Sequence, residues 1–197
     1  TFDYPEEFFN EKIHTIRRPR PDDYQIKQAA DLIKKSKNPI IISGGGIFYS
    51  DAMKELSQFA KKHNIPTAQT VMGYSTMKKD DPYFLGAIGG FGGKAPNDFM
   101  KKTDLAIAIG TKLADFTTGS WTNFENPNFK LVSINVSRFD ANKHMAQSIV
   151  GDAKVSIQDL TVALGSWKAS DDWYKKSRSA VKSWNNYLEK ESGPTNQ

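Results

Sequence analysis

Short uncharged apolar runs alternate with amphipathic segments along this chain. Runs that are apolar at nearly every position are typical of strands buried on both faces of a parallel sheet, and β-branched residues favour such strands further. The pattern predicts six strands, at Ile40–Ile42, Thr67–Val71, Tyr83–Ile88, Leu105–Ile109, Leu131–Val136 and Ser148–Val150.

The segments between these runs have the apolar period of helices. From Ile26 to Ile33, apolar residues recur at i, i+3, i+4 and i+7, behind Asp22 or Asp23 as the N-cap residue. Ser50 is predicted to cap a second helix and Asp152 a later one. Strands joined through helices in this order run parallel, with right-handed connections. We therefore predict an α/β fold with a doubly wound, mostly parallel sheet of about six strands and helices on both faces.

The sequence divides into three parts. Residues 1–21 are rich in aromatic residues and proline without a clear period and are predicted to be a linker, 22–166 form the sheet domain, and 167–197 hold a final helix and a second linker. The chain does not begin with methionine, so we expect a processed or shortened chain. Trp173 and Trp184 of the final helix are expected to pack on neighbours outside this chain. The same is expected of Phe2, Tyr4, Phe8 and Phe9.

Charge and composition exclude several classes of function. The net charge is +5, but most lysines fall near the ends of predicted helices, and only Arg17–Arg20 forms a basic cluster. Without a helix-turn-helix or finger pattern beside it, this charge does not predict nucleic-acid binding. No apolar run reaches the length of a membrane span. The absence of cysteine agrees with a reducing compartment, so we predict a cytoplasmic protein.

Three consecutive glycines follow the first predicted strand, where nucleotide-binding folds carry a phosphate loop. Gly44 and Gly46 suit the first two glycines of that fingerprint, but Tyr49 stands at the third position. The acidic residue that would hold a ribose is missing after the second strand. We therefore predict a tight strand-to-helix turn rather than an NAD site, and keep Gly44, Gly45 and Gly46 as candidate anion-binding residues.

A loop rich in hydroxyl groups follows the fourth predicted strand. Ligands of parallel α/β sheets sit beyond the carboxyl ends of the strands, so this loop is a candidate ligand site. Its candidate residues are Thr111, Asp115, Thr117 and Thr118. The interpretation we favour is that Asp115 caps a helix or forms an Asx turn. No catalytic or metal-binding residue is predicted, because the three histidines lack metal-ligand spacing and no serine lies in a nucleophile-elbow pattern.

Four segments together resemble the middle domain of thiamine-diphosphate-dependent enzymes. They are Asn38–Gly46, Gly110–Ser120 with Asp104 before its strand, Ile134–Val136 and Gly151–Lys154. The resemblance covers about residues 14–165, the whole predicted sheet domain. Within the family, the Asp115–Thr122 string and Arg17–Pro21 favour the hydrolases that act on a cyclic 1,2-dione in myo-inositol degradation over the acetolactate synthases.

This resemblance implies a non-catalytic scaffold domain. Its partners would be an amino-terminal and a carboxyl-terminal catalytic domain of the same polypeptide, in a parent enzyme that is a homo-oligomer. Those domains would bind thiamine diphosphate and Mg²⁺, so no cofactor or metal is expected on this chain. Gly151-Asp152-Ala153 followed by Asn185-Asn186 imitates the family's metal motif. We interpret that likeness as a coincidence, because Ala153 replaces a glycine and the asparagines fall inside a predicted helix.

Two alternatives stay open. The first is the central domain of an acetolactate-synthase-like enzyme, where the resemblance implies FAD as the cofactor. Nothing in Gly44–Tyr49 or Gly89–Gly93 requires FAD. The second is a stand-alone FAD- or nucleotide-binding module of the same fold. Both alternatives predict that FAD or a nucleotide binds at the candidate loops, whereas the scaffold interpretation predicts no ligand there.

Overall fold

Six strands form one sheet in which every pair of neighbours is parallel. In the computed structural model, which describes residues 2–193, the strand order is β3-β2-β1-β4-β5-β6. The strands are β1 (Pro39–Ser43), β2 (Thr67–Gln69), β3 (Phe84–Ala87), β4 (Leu105–Ile109), β5 (Lys130–Asn135) and β6 (Gln147–Val150). The predicted α/β fold is confirmed. Thr1 and residues 194–197, at the ends of the two predicted linkers, lie outside the described residues.

Every connection between successive strands except that from β2 to β3 contains an α-helix, and helices cover both faces of the sheet. They are α1 (Asp23–Lys35), α2 (Gly46–Tyr49), α3 (Met53–His63), α4 (Lys94–Met100), α5 (Asp115–Thr118), α6 (Arg138–Ala141), α7 (Ala153–Leu164) and α8 (Asp171–Glu191). Asp22 caps α1 as predicted, since its carboxylate accepts a hydrogen bond from the Tyr24 amide. Asp152 caps α7 in the same way, accepting from the amides of Lys154 and Val155.

One face of the sheet packs against α1, α3 and α7. Ile33, Leu56 and Leu160, one from each helix, are buried with Ile41 and Ile107 of the central strands. The central strands are buried at every position because successive side chains point to opposite faces and both faces are covered. Their uninterrupted apolar sequence follows from this double burial.

The opposite face packs against α4 and α8, which corrects one expectation. Trp173 of α8 packs within this chain and not on a neighbour outside it. It is 3% exposed and stacks on Phe99, with 4.1 Å between ring centroids. Its indole Nε1 donates a 2.8 Å hydrogen bond to the Pro39 carbonyl. Trp184, farther along α8, lies half-buried beside Gly93. The first half of α8 is therefore part of the sheet's own packing.

Strand β2 is shorter than the apolar pattern predicts. It ends at Gln69, and Val71–Gly73 forms a single 3₁₀ turn in which Thr70 Oγ1 accepts from the Gly73 amide. The turn lies against the end of β1, where a Cβ on Gly73 would be 2.2 Å from the Ser43 carbonyl oxygen. This close backbone approach bends the chain out of the sheet. The periodicity of apolar residues does not predict it.

The two outer strands are β3 and β6. On the side of β6 that faces away from β5, Gln25 of α1 approaches the strand, and its Oε1 accepts a 2.9 Å hydrogen bond from the Val150 amide. On the β3 side, Arg178 of α8 donates a 3.1 Å hydrogen bond to the Phe84 carbonyl. Each outer strand is thus tied to a helix. Among the helices of residues 2–193, none has the length and apolar content needed to cross a membrane.

Candidate functional site

A cleft lies at the carboxyl edge of the sheet, at the point where the strand order reverses between β1 and β4. In open α/β sheets this is the crevice in which ligands bind. Its volume is about 970 Å³. The loops after β1, β4, β5 and β6 form its walls, together with the amino-terminal segment around Arg17.

The three glycines after β1 do not form an open phosphate loop. A Cβ on Gly44 would lie 2.4 Å from the Gly110 carbonyl oxygen, and one on Gly46 would lie 2.6 Å from the Gly110 Cα. Gly44 and Gly46 are glycine because this loop interlocks with the loop after β4, which agrees with the predicted tight turn. Gly45 and Gly46 line the cleft, and Gly44 does not.

The hydroxyl-rich loop contributes only part of its polar side chains to the cleft. Thr111 and Thr117 line it. Thr118 is buried, and its hydroxyl donates to the backbone of its own turn, at Ala114 and Asp115. The Thr118 hydroxyl, which the sequence suggested as a ligand-binding group, therefore stabilises the loop.

The expectation that Asp115 caps a helix is wrong in its detail. Asp115 is the first residue of the short α5, the N-cap residue is Ala114, and no side chain caps the turn. The Asp115 carboxylate instead accepts a 3.1 Å hydrogen bond from Ser120 Oγ on the surface. The Asp115 side chain therefore bonds within its own loop and does not line the cleft.

Ser50 also differs from its predicted role. Residues 46–49 form the short α2, so the longer α3 begins later, behind Ala52, and has no side-chain cap. Ser50 Oγ donates 2.8 Å to the Asp152 carboxylate and accepts from the Ala153 amide at 3.2 Å. It joins the loop after β1 to the start of α7, beside the cleft.

The amino-terminal segment is a wall of the cleft that the sequence did not predict. Arg18 donates hydrogen bonds to the Ser50 carbonyl and to the Asp152 carboxylate, the latter at 3.0 Å. The Asp152 amide donates 2.8 Å to the Pro19 carbonyl. These contacts place Ile16 and Arg17 in the wall of the cleft. The basic cluster was the only sequence signal for them, because nothing local pairs residue 18 with residue 152.

Basic and polar groups of the loops after β4 and β5 complete the cleft. Lys112 follows β4, and Asn135 at the end of β5 donates 3.2 Å to the Thr111 carbonyl. Asp140 of α6 is bonded to the Lys143 ammonium at 2.6 Å. That hydrogen bond lowers the pKa of the Asp140 carboxyl below its ordinary value of 3.8. Asp140 is therefore a carboxylate at neutral pH, and it is paired with Lys143 just after its own helix.

The motif that imitates a diphosphate-anchoring metal site does not form one. Asp152 is held by Arg18 and Ser50 and caps α7 on one face of the sheet. Asn185 and Asn186 are exposed on α8, which packs on the other face. These residues do not fit the Mg²⁺ of a thiamine diphosphate site. Within residues 2–193, no group of three or more His, Asp or Glu side chains is arranged to hold a metal ion.

Among the described residues that line the cleft, Ser50 and Asp152 form a close hydroxyl–carboxylate pair, and both side chains are buried in the structural contacts described above. No histidine lines the cleft: His63 is buried at the far end of α3, and His144 stacks on Trp121 with 4.1 Å between ring centroids. Acid–base or nucleophilic catalysis needs a nucleophile or base within hydrogen-bond reach of a partner that activates it. What the cleft does offer is backbone amides, three threonines and the cations Arg17 and Lys112. These groups suit binding or docking.

Comparison with known families agrees with this picture of the fold. Residues 26–160 match the family model for the central domain of thiamine pyrophosphate enzymes. The matched range runs from α1 into α7 and contains all six strands.

Several curated proteins are similar to most of this chain. A 3D-(3,5/4)-trihydroxycyclohexane-1,2-dione hydrolase of Clostridium perfringens is 40% identical over 183 residues, which is 93% of this chain and 29% of that protein. Proteins of that name from Clostridium botulinum and, as hydrolase 1, from Bacillus cereus are 44% and 41% identical, each over 81% of this chain and 25% of their own length. The chain thus spans less than a third of the relatives it matches. It belongs to the thiamine pyrophosphate enzyme family, in which it corresponds to the central domain.

Proposed function

We propose that this chain is the non-catalytic central domain of a thiamine-diphosphate-dependent hydrolase that cleaves a carbon–carbon bond of a cyclic 1,2-dione in myo-inositol degradation. In this role the domain positions catalytic domains of the same polypeptide, which would bind thiamine diphosphate and Mg²⁺. The parent enzyme would be cytoplasmic and homo-oligomeric.

One observation carries this proposal. Relatives named for the hydrolysis of a trihydroxycyclohexanedione cover 93% of this chain with 29% of their own length, and the matching part contains the sheet and its cleft. The cleft, in turn, has a close hydroxyl–carboxylate pair among residues 2–193, Ser50 and Asp152, and both side chains are buried and engaged in structural contacts. The chemistry of such a hydrolase would therefore belong to the other 71% of the relative's length.

The test compares two proteins, the full product of the gene that encodes this chain and residues 1–197 alone. With thiamine diphosphate and Mg²⁺ present, we expect the full product to hydrolyse the cyclic dione and residues 1–197 to be inactive. In the full product, Thr117→Val alters a wall of the cleft with little change in volume, and we expect its kcat to stay within about twofold of the wild type. Activity of residues 1–197, or loss of kcat in Thr117→Val without loss of folding, would contradict the scaffold role.

A second candidate function is binding of FAD or another nucleotide, as in an acetolactate-synthase-like central domain or a stand-alone module. The observation in its favour is the cleft of about 970 Å³ at the strand-order reversal. A ligand at 100 times its Kd stabilises the native state by about 2.7 kcal/mol, which is a shift of several degrees in Tm. We would measure Tm with FAD, NAD, CoA and thiamine diphosphate, using Lys112→Gln as the matched cleft variant. A shift with FAD or CoA that Lys112→Gln reduces would favour this second function over the scaffold role.

A further inference from the structure

Large apolar side chains are exposed in the loops and short helices that follow five of the parallel strands. We call this set the apolar rim, and its members are 56–84% exposed. They are Tyr49, Met72, Tyr74, Phe91, Phe116 and Phe139. Phe91 and Phe116 come from loops after different strands and still contact each other, with 4.8 Å between ring centroids. The rim is therefore a shared surface of the carboxyl edge, of the kind that marks an interaction site.

Positive charge accompanies the apolar rim, and of its cations Lys112 also lies in the field of the Asp140 carboxylate. Arg17, Lys112 and Arg138 are exposed beside the rim, and within residues 2–193 none of them forms an ion pair. A second copy of the same surface would bring these like charges together, which disfavours self-association through the rim. A partner that fits has apolar side chains and exposed carboxylates.

The path of the chain brings its amino-terminal segment to this surface. Arg18 and Pro19 are bonded to Asp152 at the rim of the cleft, so the chain enters the domain along the carboxyl edge. The residues before this point are exposed; Tyr4 stacks on Phe8, and Phe9 contacts both rings edge-on. The 14 residues from Phe2 to Thr15 can span at most about 50 Å, since an extended chain advances by about 3.5 Å per residue. Anything attached before residue 1 is therefore within reach of the rim.

We propose that the apolar rim, with Arg17, Lys112 and Arg138, is the docking surface for the domain that precedes residue 1 in the longer polypeptide. The inference rests on the proposed function, because it requires that such a domain exists. It adds which face of the central domain is covered, and that the covering surface is apolar and acidic. Docking there encloses the cleft between the two domains.

Site-specific photo-crosslinking in the full gene product tests this docking. The photoreactive residue p-benzoylphenylalanine replaces Phe91 in one variant and Phe139 in another. Both side chains are 76% exposed, so neither change disturbs the core. The control variant carries the probe at Val162, an 80% exposed residue near the far end of α7. We expect both rim probes to crosslink to residues preceding residue 1 of the same polypeptide, and the Val162 probe to give no such product.

Charge reversal gives a second measurement on the same products. Arg138→Glu, combined with the Phe91 probe, should lower the crosslink yield by about threefold, because it opposes the expected carboxylates of the partner. Lys168→Glu is the matched control, since Lys168 is an exposed lysine far from the rim and should leave the yield unchanged.

Each other result has a defined meaning. Rim crosslinks only to residues after 197, only to a second copy, or to no protein at all would overturn the docking assignment while leaving the proposed function intact. If the reading frame encodes nothing before residue 1, or if the full product does not act on the cyclic dione, the proposed function itself fails. The gene sequence and the activity therefore test the proposed function, and the crosslinks test the docking surface.

Discussion

Backbone contact between two loops decides which residues are tolerated beside the cleft. The loop at Gly44 and Gly46 lies directly on Gly110, whose φ of +63° is in the left-handed region that favours glycine. The sequence predicts that a tight turn follows β1, because glycines cluster there. It does not predict that Gly110, far away in the chain, is the reason, since a pattern along one strand holds no information about the neighbouring loop.

Gly44→Ala tests this interlock. The new methyl group would lie 2.4 Å from the Gly110 carbonyl oxygen and 2.6 Å from the Thr111 Cβ, so backbone must move. We expect the free energy of unfolding to fall by about 1–3 kcal/mol, measured by urea denaturation. Gly193→Ala is the control, because its nearest neighbour would be 3.6 Å away. An unchanged stability in Gly44→Ala would mean that the two loops are not in contact.

His63 is a buried titratable residue with one satisfied ring nitrogen. Its Nδ1 lies 2.8 Å from the Trp167 carbonyl, and within the described residues its Nε2 has no hydrogen-bond partner. Burial lowers the pKa of His63 below its ordinary value of 6.5, and Lys62 and Lys168 act in the same direction. The neutral imidazole is therefore the form that the fold accepts.

The sign of the resulting pH dependence follows from this lowered pKa. As pH falls below 6.5, the unfolded chain takes up a proton at His63 while the folded chain does not, so stability is lost down to the folded-state pKa. His63→Asn keeps a donor for the Trp167 carbonyl and does not titrate. We expect urea denaturation between pH 7.5 and pH 5 to show a smaller loss of stability in His63→Asn than in the wild type.

At the scale of elements, the apolar runs predict the strands well because both faces of the sheet are covered. The errors fall where an element is shaped by a distant contact. Ser50 donates a hydrogen bond to Asp152 and does not cap α3. Trp173 packs on Phe99 within the chain. In each case the local signal, a capping residue or an amphipathic helix, is real, but its partner lies more than 70 residues away in the chain.

Trp173 is the side chain that fixes α8 to the sheet. Trp173→Ala removes its stacking on Phe99 and its hydrogen bond to Pro39, and we expect a loss of about 3–5 kcal/mol in the free energy of unfolding. Trp173→Phe keeps the aromatic contact and should cost only about 1–2 kcal/mol, mainly for the unpaired carbonyl. Chemical denaturation followed by far-UV circular dichroism measures both. Equal losses in the two variants would show that the stacked ring contributes nothing.

Arg18 fastens the amino-terminal segment to the start of α7. The Asp152 side chain is 8% exposed and that of Arg18 is 39% exposed, so solvent screens the pair in part. Arg18→Ala leaves a buried carboxylate with fewer donors, and we expect a loss of about 1–2 kcal/mol in thermal or urea unfolding. Arg20→Ala breaks the exposed pair with Asp159 and should change stability by less than about 0.5 kcal/mol. A larger effect at Arg20 than at Arg18 would contradict this assignment.

At the scale of the whole molecule, the sequence predicts the sheet and the edge at which a site must lie, but not the cleft itself. Arg17, Thr111 and Asp140 line one cavity although they are spread over most of the chain. Strand order decides which loops meet, and no local sequence pattern predicts the order β3-β2-β1-β4-β5-β6. The boundary predicted after residue 166 stays a prediction, and the packing of α8 makes it testable.

The described chain is expected to unfold as one cooperative unit that includes α8. Trp121→Phe, Trp167→Phe and Trp184→Phe together leave Trp173 as the sole tryptophan, because the chain has four. Fluorescence of Trp173 then reports on α8, while far-UV circular dichroism reports on the whole domain. We expect the two urea transitions to coincide. A separate, earlier fluorescence transition would mean that α8 is an independent appendage.

The hydrogen bond from the Val150 amide to Gln25 has a consequence for how molecules meet one another. A bare outer strand invites a strand from another chain to continue the sheet, the route by which globular proteins begin to polymerise into fibres. Gln25 occupies one of the donors that an incoming strand would need. At this position of β6 the sheet is thus terminated by a side chain, which leaves an incoming strand one backbone donor fewer with which to pair.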